Sequence, residues 1–280
     1  MSATVGELVG LIEEFAAPLL AESWDNAGLQ VGNAQWPVEK VLVALDPLPE
    51  VVQAACIRKA GLLVTHHPLI FKPLPAVNTA DAVGALIEKA LCHRVAVYAA
   101  HTNLDAAVGG LNDRLAQKLG LESTTVLRPV PQPEARPSRG ETGRMPALAG
   151  IGRVGRLPSE TTLADLAEKI KQVFKVGRLR MVGDAGMKVN RAAVCSGSGG
   201  GLLMDFLLSE ADVFVSGDLK YHDARLVENA GRGFLDLGHF ASEHLMIDLV
   251  SEKLTTAIRR CGFSVVVEAC RLERDPFNVL

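Results

Sequence analysis

Short, almost wholly apolar runs recur along this chain and alternate with segments that have helical spacing. Residues 40–46 and 61–66 form two such runs, and residues 50–60 between them have the pattern of a helix closed by Gly61. An apolar run of this length, bounded by turn residues, is typical of a strand that is buried on both faces. A strand, a helix and a second strand in this order form a βαβ unit. The pattern therefore predicts an α/β fold with largely parallel sheets flanked by helices.

The same alternation continues along the chain and divides it into two lobes. Helices are predicted over residues 79–92, 111–119, 163–174, 202–209 and 242–258, and strands over residues 95–100, 150–156, 192–195, 212–215 and 264–268. Residues 128–147 are rich in proline and arginine, a composition that forms no packed core, so they are predicted to be an exposed linker. We therefore expect a first α/β lobe over residues 1–127 and a second over residues 148–280.

The composition fits a water-soluble α/β protein. Aromatic residues make up only 5% of the chain, so the core must consist mostly of Val, Leu, Ile and Ala, as in buried parallel strands. The formal net charge is −3 and no basic tract is present, which gives no electrostatic case for binding nucleic acid. No apolar run reaches the roughly 18 residues that a membrane-spanning helix needs. We expect neither a membrane nor a nucleic acid as a partner.

The cysteines predict a reducing compartment. There are five of them, and none forms a close metal-binding pair: Cys56, Cys92, Cys195, Cys261 and Cys270. An odd number of scattered cysteines favours free thiols over a disulfide framework. The N-terminus also lacks the basic start and the small-residue cleavage site of a signal peptide. These features predict a cytoplasmic protein.

Histidines and carboxylates follow three of the apolar runs at the point where each run ends. The residues concerned are His66 and His67, then His101 and Asp105, and finally His239 and Glu243. Adjacent side chains of a regular strand point to opposite faces, so His66 and His67 share a site only if the strand has ended. If a helix begins at His239, Glu243 lies on the same face of that helix. Because open α/β sheets bind substrates beyond the carboxyl ends of their strands, we expect one site in a cleft between the lobes.

These side chains predict a metal centre. Imidazole nitrogen and carboxylate oxygen without thiolate suit zinc, iron, manganese or nickel rather than calcium. Two metal ions about 3.5–4 Å apart need a bridging oxygen donor and further ligands on each side. Glu243 is the candidate bridge, and His66 and His67 are candidate ligands. Each histidine alone could instead bind a strand-end carbonyl group, but three such strand ends together favour a metal site.

Two segments could hold a phosphate group. Residues 196–201 (SGSGGG) follow a predicted strand and precede a predicted helix, so their backbone amides could hold an anion, or the segment could be a tight turn only. The segment lacks the Lys and Ser/Thr that end a nucleotide-hydrolysing phosphate loop. Arg136, Arg139 and Arg144 of the linker could bind phosphate or belong to a solvated loop. Both pairs of alternatives stay open from the sequence.

His222 is a candidate for proton transfer. It follows Asp218 by four residues, so the two share a face if residues 218–230 are helical. An acidic partner would orient the imidazole and raise its proton affinity, which suits proton transfer near neutral pH. An exposed ion pair of His222 with Asp218 or Asp223 is the alternative.

An ordered set of motifs gives the chain a resemblance to a known family over nearly its whole length. The matching segments are residues 23–32 (SWDNAGLQVG), 65–71 (THHPLIF), 100–105 (AHTNLD), 109–112 (GGLN), 216–224 (SGDLKYHDA) and 238–243 (GHFASE). Together they resemble the Nif-three-like dinuclear-metal hexamer family, whose bacterial members are named GTP cyclohydrolase 1 type 2 homologues. Longer members carry an extra domain between two halves, so this chain resembles the compact form.

The resemblance implies roles for particular residues. It implies that two divalent ions are bound by five ligands: His66, His67, Asp105, His239 and Glu243. In this arrangement Glu243 bridges the two ions, and His66 and His67 bind different ions. The resemblance also implies that His101 and His222 lie beside the centre, as the catalytic residues that move protons. It further implies a homohexameric ring.

The implied activity is metal-dependent hydrolysis of a purine nucleotide. Hydroxide would attack carbon 8 of GTP, and a second hydrolytic step would release formate. Nothing in the residues themselves selects GTP over another nucleotide, a phosphoester or an amide. A phosphoesterase with the same two metals is one alternative. A ring that binds metal and a partner protein or nucleic acid, without turnover, is the other.

Overall fold

The computed structural model describes residues 2–131 and 149–278. Most of the predicted linker, including Arg136, Arg139 and Arg144, therefore lies outside the described residues. Residues 128 and 129, which the linker prediction included, belong instead to the end of a strand.

The strands and helices follow the predicted alternation. The strands are β1 (Ala3–Thr4), β2 (Gly28–Val31), β3 (Pro37–Val38), β4 (Lys40–Ala44), β5 (Leu62–Thr65), β6 (Ala96–Ala99), β7 (Glu122–Pro129), β8 (Gly150–Thr162), β9 (Arg180–Val182), β10 (Lys188–Ser198), β11 (Val213–Gly217), β12 (Gly233–Asp236) and β13 (Val266–Ala269). The helices are α1 (Val5–Glu13), α2 (Pro49–Ile57), α3 (Ala82–Cys92), α4 (Thr102–Ala106), α5 (Leu111–Leu119), α6 (Leu163–Phe174), α7 (Leu203–Leu208), α8 (Tyr221–Asn229), α9 (His239–Glu243) and α10 (Leu245–Arg260). Within residues 2–131 and 149–278, every helix is too short or too polar to cross a membrane.

Local sequence signals explain where several helices begin and end. The side chain of Thr4 accepts a hydrogen bond from the backbone N–H of Glu7, and Glu7 bonds back to Thr4, so α1 begins with a capping box. Thr162 accepts a bond from the N–H of Asp165 at the start of α6. Helix α5 ends at Gly120, whose φ of +76° favours a residue without a Cβ. The predicted bounds of α5 and α6 are confirmed.

The chain forms two compact units. The first consists of Met1–Leu104 and His244–Leu280, and the second of Asp105–Glu243. These limits differ from the expected lobes 1–127 and 148–280. The physical reason is the C-terminal segment: β13 pairs in parallel with β4 and α10 packs on β13, so residues after 243 complete the core of the first unit.

The first unit contains a five-stranded sheet in the order β13-β4-β5-β6-β2. The first three neighbouring pairs are parallel, and β2 is antiparallel to β6. Leu42, Leu63 and Val97 of the central strands are fully buried in its apolar core. Thr65 is in register with both Ala44 and Ala99. The residues that follow β4, β5 and β6 therefore lie at the same edge of the sheet.

The second unit contains a six-stranded sheet in the order β7-β8-β10-β11-β12-β9. Only β10 with β11 and β11 with β12 are parallel pairs, and the other three pairs are antiparallel. The prediction of a largely parallel sheet is wrong for this unit. Strands β7 and β9 were not predicted, because these edge strands are mostly exposed and lack the apolar run of a buried strand. Phe206, Phe214 and Phe234 pack ring against ring in the core.

Candidate metal centre

Three histidines of the first unit form a cluster at the edge where β5 and β6 end. His66 and His67 directly follow β5, and His101 lies two residues after β6. Each offers one ring nitrogen such that the three atoms all lie within 4.8 Å of one another. The ring centroid of His66 is 5.2 Å from that of His67 and 5.2 Å from that of His101. Such a cluster can hold a metal ion.

The backbone turn after β5 explains how two adjacent histidines face one site. The N–H groups of His66 and His67 both donate to the carbonyl oxygen of Leu45, at 3.0 Å each. The hydroxyl of Thr65 donates to the carbonyl oxygen of His67 at 2.8 Å. The alternation of a regular strand therefore stops at Thr65, as expected from the sequence.

Each of the three imidazoles is oriented through its Nδ1 atom. The Nδ1 of His66 donates to the carbonyl oxygen of Ala100, that of His67 to Oδ1 of Asp46, and that of His101 to Oδ1 of Asp25, all at 2.7 Å. A carbonyl oxygen can only accept, so Nδ1 of His66 must carry the proton. The lone pair of the neutral ring then lies on Nε2. This tautomer, with an oriented acceptor behind it, is the usual state of a histidine that binds metal.

Asp25 holds His101 and the start of α4 together. Its carboxylate accepts from Nδ1 of His101 and from the backbone N–H and hydroxyl of Thr102. Burial acts to raise the pKa of the Asp25 carboxyl, but these hydrogen bonds outweigh burial and keep the pKa below its ordinary value. Asp25 is therefore a carboxylate that orients the histidine.

In the second unit, α9 brings together a histidine and a glutamate. His239 and Glu243 lie on one face of this helix, with 2.9 Å between Nε2 and Oε2, which confirms the prediction from their spacing. The Nδ1 of His239 donates to Oδ2 of Asp218 at 2.7 Å. The bond to Glu243, with a further contribution from Asp218, raises the pKa of His239 to about 9 against the effect of burial. Carboxylates that stabilise an imidazolium in this way can equally stabilise a divalent cation.

The end of β10 holds the two carboxylates that the sequence predicted as ligands. The hydroxyl of Ser196 donates to Oδ1 of Asp105 at 2.8 Å. The next residue, Gly197, lies against Glu243: a Cβ at residue 197 would be 2.0 Å from Oε1 of Glu243 and 3.3 Å from Nε2 of His239. Asp105 and Glu243 are both buried. Ser196 and Gly197, which are consecutive residues of β10, therefore position the side chains of Asp105 and Glu243.

The glycine-rich segment 196–201 packs against its own unit. The N–H of Ser196 donates to Asn112 at 3.0 Å, and the N–H of Gly197 donates to Ser242 at 2.9 Å. A Cβ at Gly199 would be 2.2 Å from the hydroxyl of Ser216. Close packing explains Gly197 and Gly199. The N–H groups of Ser196 and Gly197 are already bonded within the protein, so an anion could not use these two donors.

The thiol of Cys195 lies buried beside the two carboxylates. Burial raises the pKa of Cys195, and the carboxylates of Asp105 and Glu243 raise it further. Among the described residues, the groups of side chains that could hold a metal ion offer nitrogen and oxygen atoms.

His222 is not oriented in the expected way. Helix α8 begins only at Tyr221, and Asp218 precedes it with a φ of +59°. The carboxylate of Asp218 accepts from His239, so the expected pairing with His222 is wrong. His222 is exposed, and its ring meets the ring of Tyr221 edge-on, with 5.4 Å between centroids. Its role in proton transfer stays a prediction.

Sequence reasoning missed several of the residues that orient the cluster. Asp46, Ser196 and Gly197 were not expected to support ligands. Asp46 follows β4 at the edge where the histidines follow β5 and β6, so the same rule about strand ends would have found it. Contacts such as those of Ser196 and Gly197 depend on the tertiary fold and leave no local signal. That all five predicted ligands share one centre, in a cleft, stays a prediction from the sequence.

Comparisons with known proteins confirm the resemblance inferred from the motifs. Residues 3–276 match the model of the Duf34/NIF3 (NGG1p interacting factor 3) family. A protein of Lactococcus lactis named GTP cyclohydrolase 1 type 2 homolog is 36% identical over 268 residues, covering 95% of each chain. Its namesake from Clostridium acetobutylicum is 31% identical over 278 residues, covering 99% of each chain. The alignment with the Bacillus subtilis relative spans 366 positions, more than the 280 residues of this chain, so that relative has additional residues.

Solved structures have the same fold. A Staphylococcus aureus hypothetical protein superposes with a TM-score of 0.90 at 30% identity, with 100% of each chain covered. A Bacillus cereus protein related to NIF3 superposes with a TM-score of 0.89 at 29% identity, with 99% of each chain covered. Both likenesses, like the family match, extend over nearly the whole chain. The chain therefore belongs to the Duf34/NIF3 family.

Proposed function

We propose that this protein is a hydrolase that uses two divalent metal ions and acts on the purine ring of a nucleotide, with GTP as the first substrate to test. The observation that carries the proposal is the cluster of His66, His67 and His101, whose ring nitrogens lie within 4.8 Å of one another. Relatives named GTP cyclohydrolase 1 type 2 homolog support the choice of substrate.

The proposed ligands combine both units in one centre. They are His66, His67, Asp105, His239 and Glu243, and the ions would be zinc, iron, manganese or nickel. The chain passes from the first unit to the second at Asp105 and returns directly after Glu243. Two of the proposed ligands are thus the terminal residues of the second unit.

The residues present fit two such ions. The Nδ1 atoms of His66, His67 and His239 are donors to oxygen acceptors, which favours the tautomer that binds through Nε2. Gly197 leaves room for a carboxylate of Glu243 where a Cβ would exclude it. Bound divalent ions would supply hydroxide near neutral pH and stabilise developing negative charge.

His101 is the proposed proton-transfer residue. Its Nδ1 donates to Asp25 at 2.7 Å, so the carboxylate fixes the ring and leaves the lone pair on Nε2, where the ring would accept a proton. In the proposed reaction, hydroxide adds to carbon 8 of the guanine, the five-membered ring opens, and a second water releases that carbon as formate. His222 is the proposed second proton-transfer residue.

The test is turnover of GTP by metal-loaded protein. Formate, the ultraviolet spectrum of the purine and phosphate are measured together for the wild type and for His67→Ala. His93→Ala is the matched control, because His93 is an exposed histidine of the same unit that bonds to Lys89. We expect formate and a changed purine spectrum, lost only in His67→Ala. Release of phosphate without a change in the purine spectrum would identify a phosphoesterase. Release of neither formate nor phosphate by the wild type would favour a binding protein.

We also propose that the protein assembles as a homohexamer. The motifs that resemble a hexameric family, residues 65–71 and 238–243 among them, support this assembly. Light scattering after size-exclusion chromatography should give six times 29.8 kDa, about 179 kDa. A mass near that of one chain would contradict the hexamer.

A cytoplasmic location is the last part of the proposal. All five cysteines are free thiols, with Cys92 and Cys261 exposed. Exposed free thiols suit a reducing compartment. Fractionation of cells should place the protein with cytoplasmic markers, and its recovery from an extracytoplasmic fraction would contradict the proposal.

A further inference from the structure

Two exposed aromatic side chains of the first unit lie next to the histidine cluster. Trp24 is 58% exposed and Phe71 is 50% exposed. Their rings meet edge-on, with 6.0 Å between centroids. An exposed pair of large aromatic rings leaves apolar surface in contact with water, and such surface marks a binding site more often than a scattered single residue does.

The pair is continuous with the candidate centre through His101. The centroid of the His101 ring is 5.9 Å from that of Trp24 and 6.3 Å from that of Phe71. The same ring is 5.2 Å from His66 and 5.6 Å from His67. A flat group that rests on the indole, about 3.5–4 Å above it, therefore lies beside the proposed proton-transfer residue.

Hydrogen bonds tie together the two segments that carry the aromatic residues. Asn26, two residues after Trp24, donates from its side chain to the carbonyl oxygen of Ile70 at 2.5 Å. The N–H of Ile70 donates to the side chain of Gln30 at 2.9 Å, and Gln30 donates to the carbonyl oxygen of Asn26 at 2.6 Å. Ile70 precedes Phe71 directly. The two segments are thus tied to each other, and the rings are organised before any ligand arrives.

We propose that Trp24 and Phe71 form an aromatic platform, in which the indole of Trp24 stacks on the planar base of the substrate beside His101. The ring of Phe71, inclined at 63° to the indole, meets the indole edge-on and supports it. The platform deepens the proposed function, on which the choice of a purine rests. Stacking recognises the π-face of a base and needs no phosphate or sugar. The platform therefore selects a planar heteroaromatic compound over a sugar phosphate, and Trp24 and Phe71 are positioning residues.

The test measures binding without turnover. The chain contains two tryptophans, Trp24 and Trp36, so Trp36→Phe leaves Trp24 as the only indole reporter. In this background, guanosine should quench the fluorescence saturably, and ribose 5-phosphate and tripolyphosphate should not. By calorimetry, Trp24→Ala and Phe71→Ala should each weaken guanosine binding about 5- to 100-fold. Metal content should stay that of the wild type.

Two further variants control for the loss of an aromatic ring. Trp24→Phe should retain most of the affinity, because a smaller aromatic face remains. Phe277→Ala should bind guanosine like the wild type, because Phe277 is an exposed phenylalanine of the same unit at 78% exposure. In steady-state kinetics with GTP, Trp24→Ala should raise KM more than it lowers kcat.

The results separate the platform from the proposed reaction. Guanosine binding that depends on Trp24, with no formate from GTP, keeps the platform and overturns the GTP reaction. Formate release with guanosine affinity unchanged in Trp24→Ala and Phe71→Ala overturns the platform alone. Equal quenching by guanosine and by ribose 5-phosphate would also overturn it, because stacking cannot favour a compound without a planar ring.

Discussion

Gly197 lies so close to Glu243 that a Cβ atom at residue 197 would be 2.0 Å from Oε1 of the glutamate. Gly197 also has a φ of +62°, a conformation that L-residues with a Cβ rarely adopt. A single glycine near the end of β10 therefore makes room for the carboxylate proposed to bridge two ions.

The substitution Gly197→Ala should remove metal binding while the protein still folds. The left-handed φ destabilises an alanine by about 1–2 kcal/mol, and the added methyl group displaces the carboxylate of Glu243. Elemental analysis and urea unfolding measure the two effects. Gly201→Ala is the control, since a Cβ there meets nothing within 4 Å, and it should change the free energy of unfolding by less than about 0.5 kcal/mol. Full metal content in Gly197→Ala would contradict the role of this contact.

The substitution Asp46→Ala should weaken metal binding although Asp46 is not a proposed ligand. The carboxylate accepts from Nδ1 of His67 at 2.7 Å, and loss of such an orienting partner typically lowers metal affinity about 10- to 100-fold. Competition with a chromophoric chelator measures the affinity. Glu88→Ala, which removes an exposed carboxylate of the same unit, should bind metal like the wild type. The same affinity in both variants would refute the orienting role.

Removal of metal should lower the melting temperature. Binding to the folded state alone stabilises by about 2.7 kcal/mol when free metal is about 100 times Kd, which corresponds to roughly 5–10 °C. Calorimetry of chelator-treated and reloaded protein checks this. In His66→Ala the shift should be much smaller. A shift of equal size in that variant would mean that the metal binds elsewhere.

Substitution of His101 should slow turnover more than substitution of His222. The ring of His101 is held by Asp25, whereas that of His222 is exposed against Tyr221. Loss of a general acid or base lowers turnover by about 10²- to 10⁴-fold. We expect this loss in His101→Gln with metal retained, and a smaller loss in His222→Gln. The reverse order would make His222 the main proton-transfer residue.

Local patterns were sufficient for the elements that carry the candidate ligands. The apolar runs before His66 and His101 end where β5 and β6 end, and the spacing of His239 and Glu243 matches one face of α9. Both signals depend only on strand alternation and helical periodicity. They are encoded within a few residues of the chain.

Contacts between distant parts of the sequence were not predictable. The pairing of β13 with β4 joins residues more than two hundred positions apart, so the sequence assigned the C-terminal segment to the wrong neighbours. Likewise, helical spacing predicted that Asp218 pairs with His222. The left-handed φ of Asp218 places this residue outside the helix, and its side chain accepts a hydrogen bond from His239 instead. In both cases the partner is determined by tertiary packing, because local spacing along the sequence is compatible with more than one partner.

We propose that clusters from both units hold two ions in one centre, and metal stoichiometry with X-ray absorption spectroscopy tests this most directly. The samples are the wild type, the double variant His66→Ala with His67→Ala, and the double variant His239→Ala with Glu243→Gln. We predict two ions per chain with a metal–metal distance of about 3.5–4 Å, and loss of that metal–metal signal in either double variant. A wild type without metal–metal scattering, in which each double variant loses one ion and keeps the other, would contradict a shared centre.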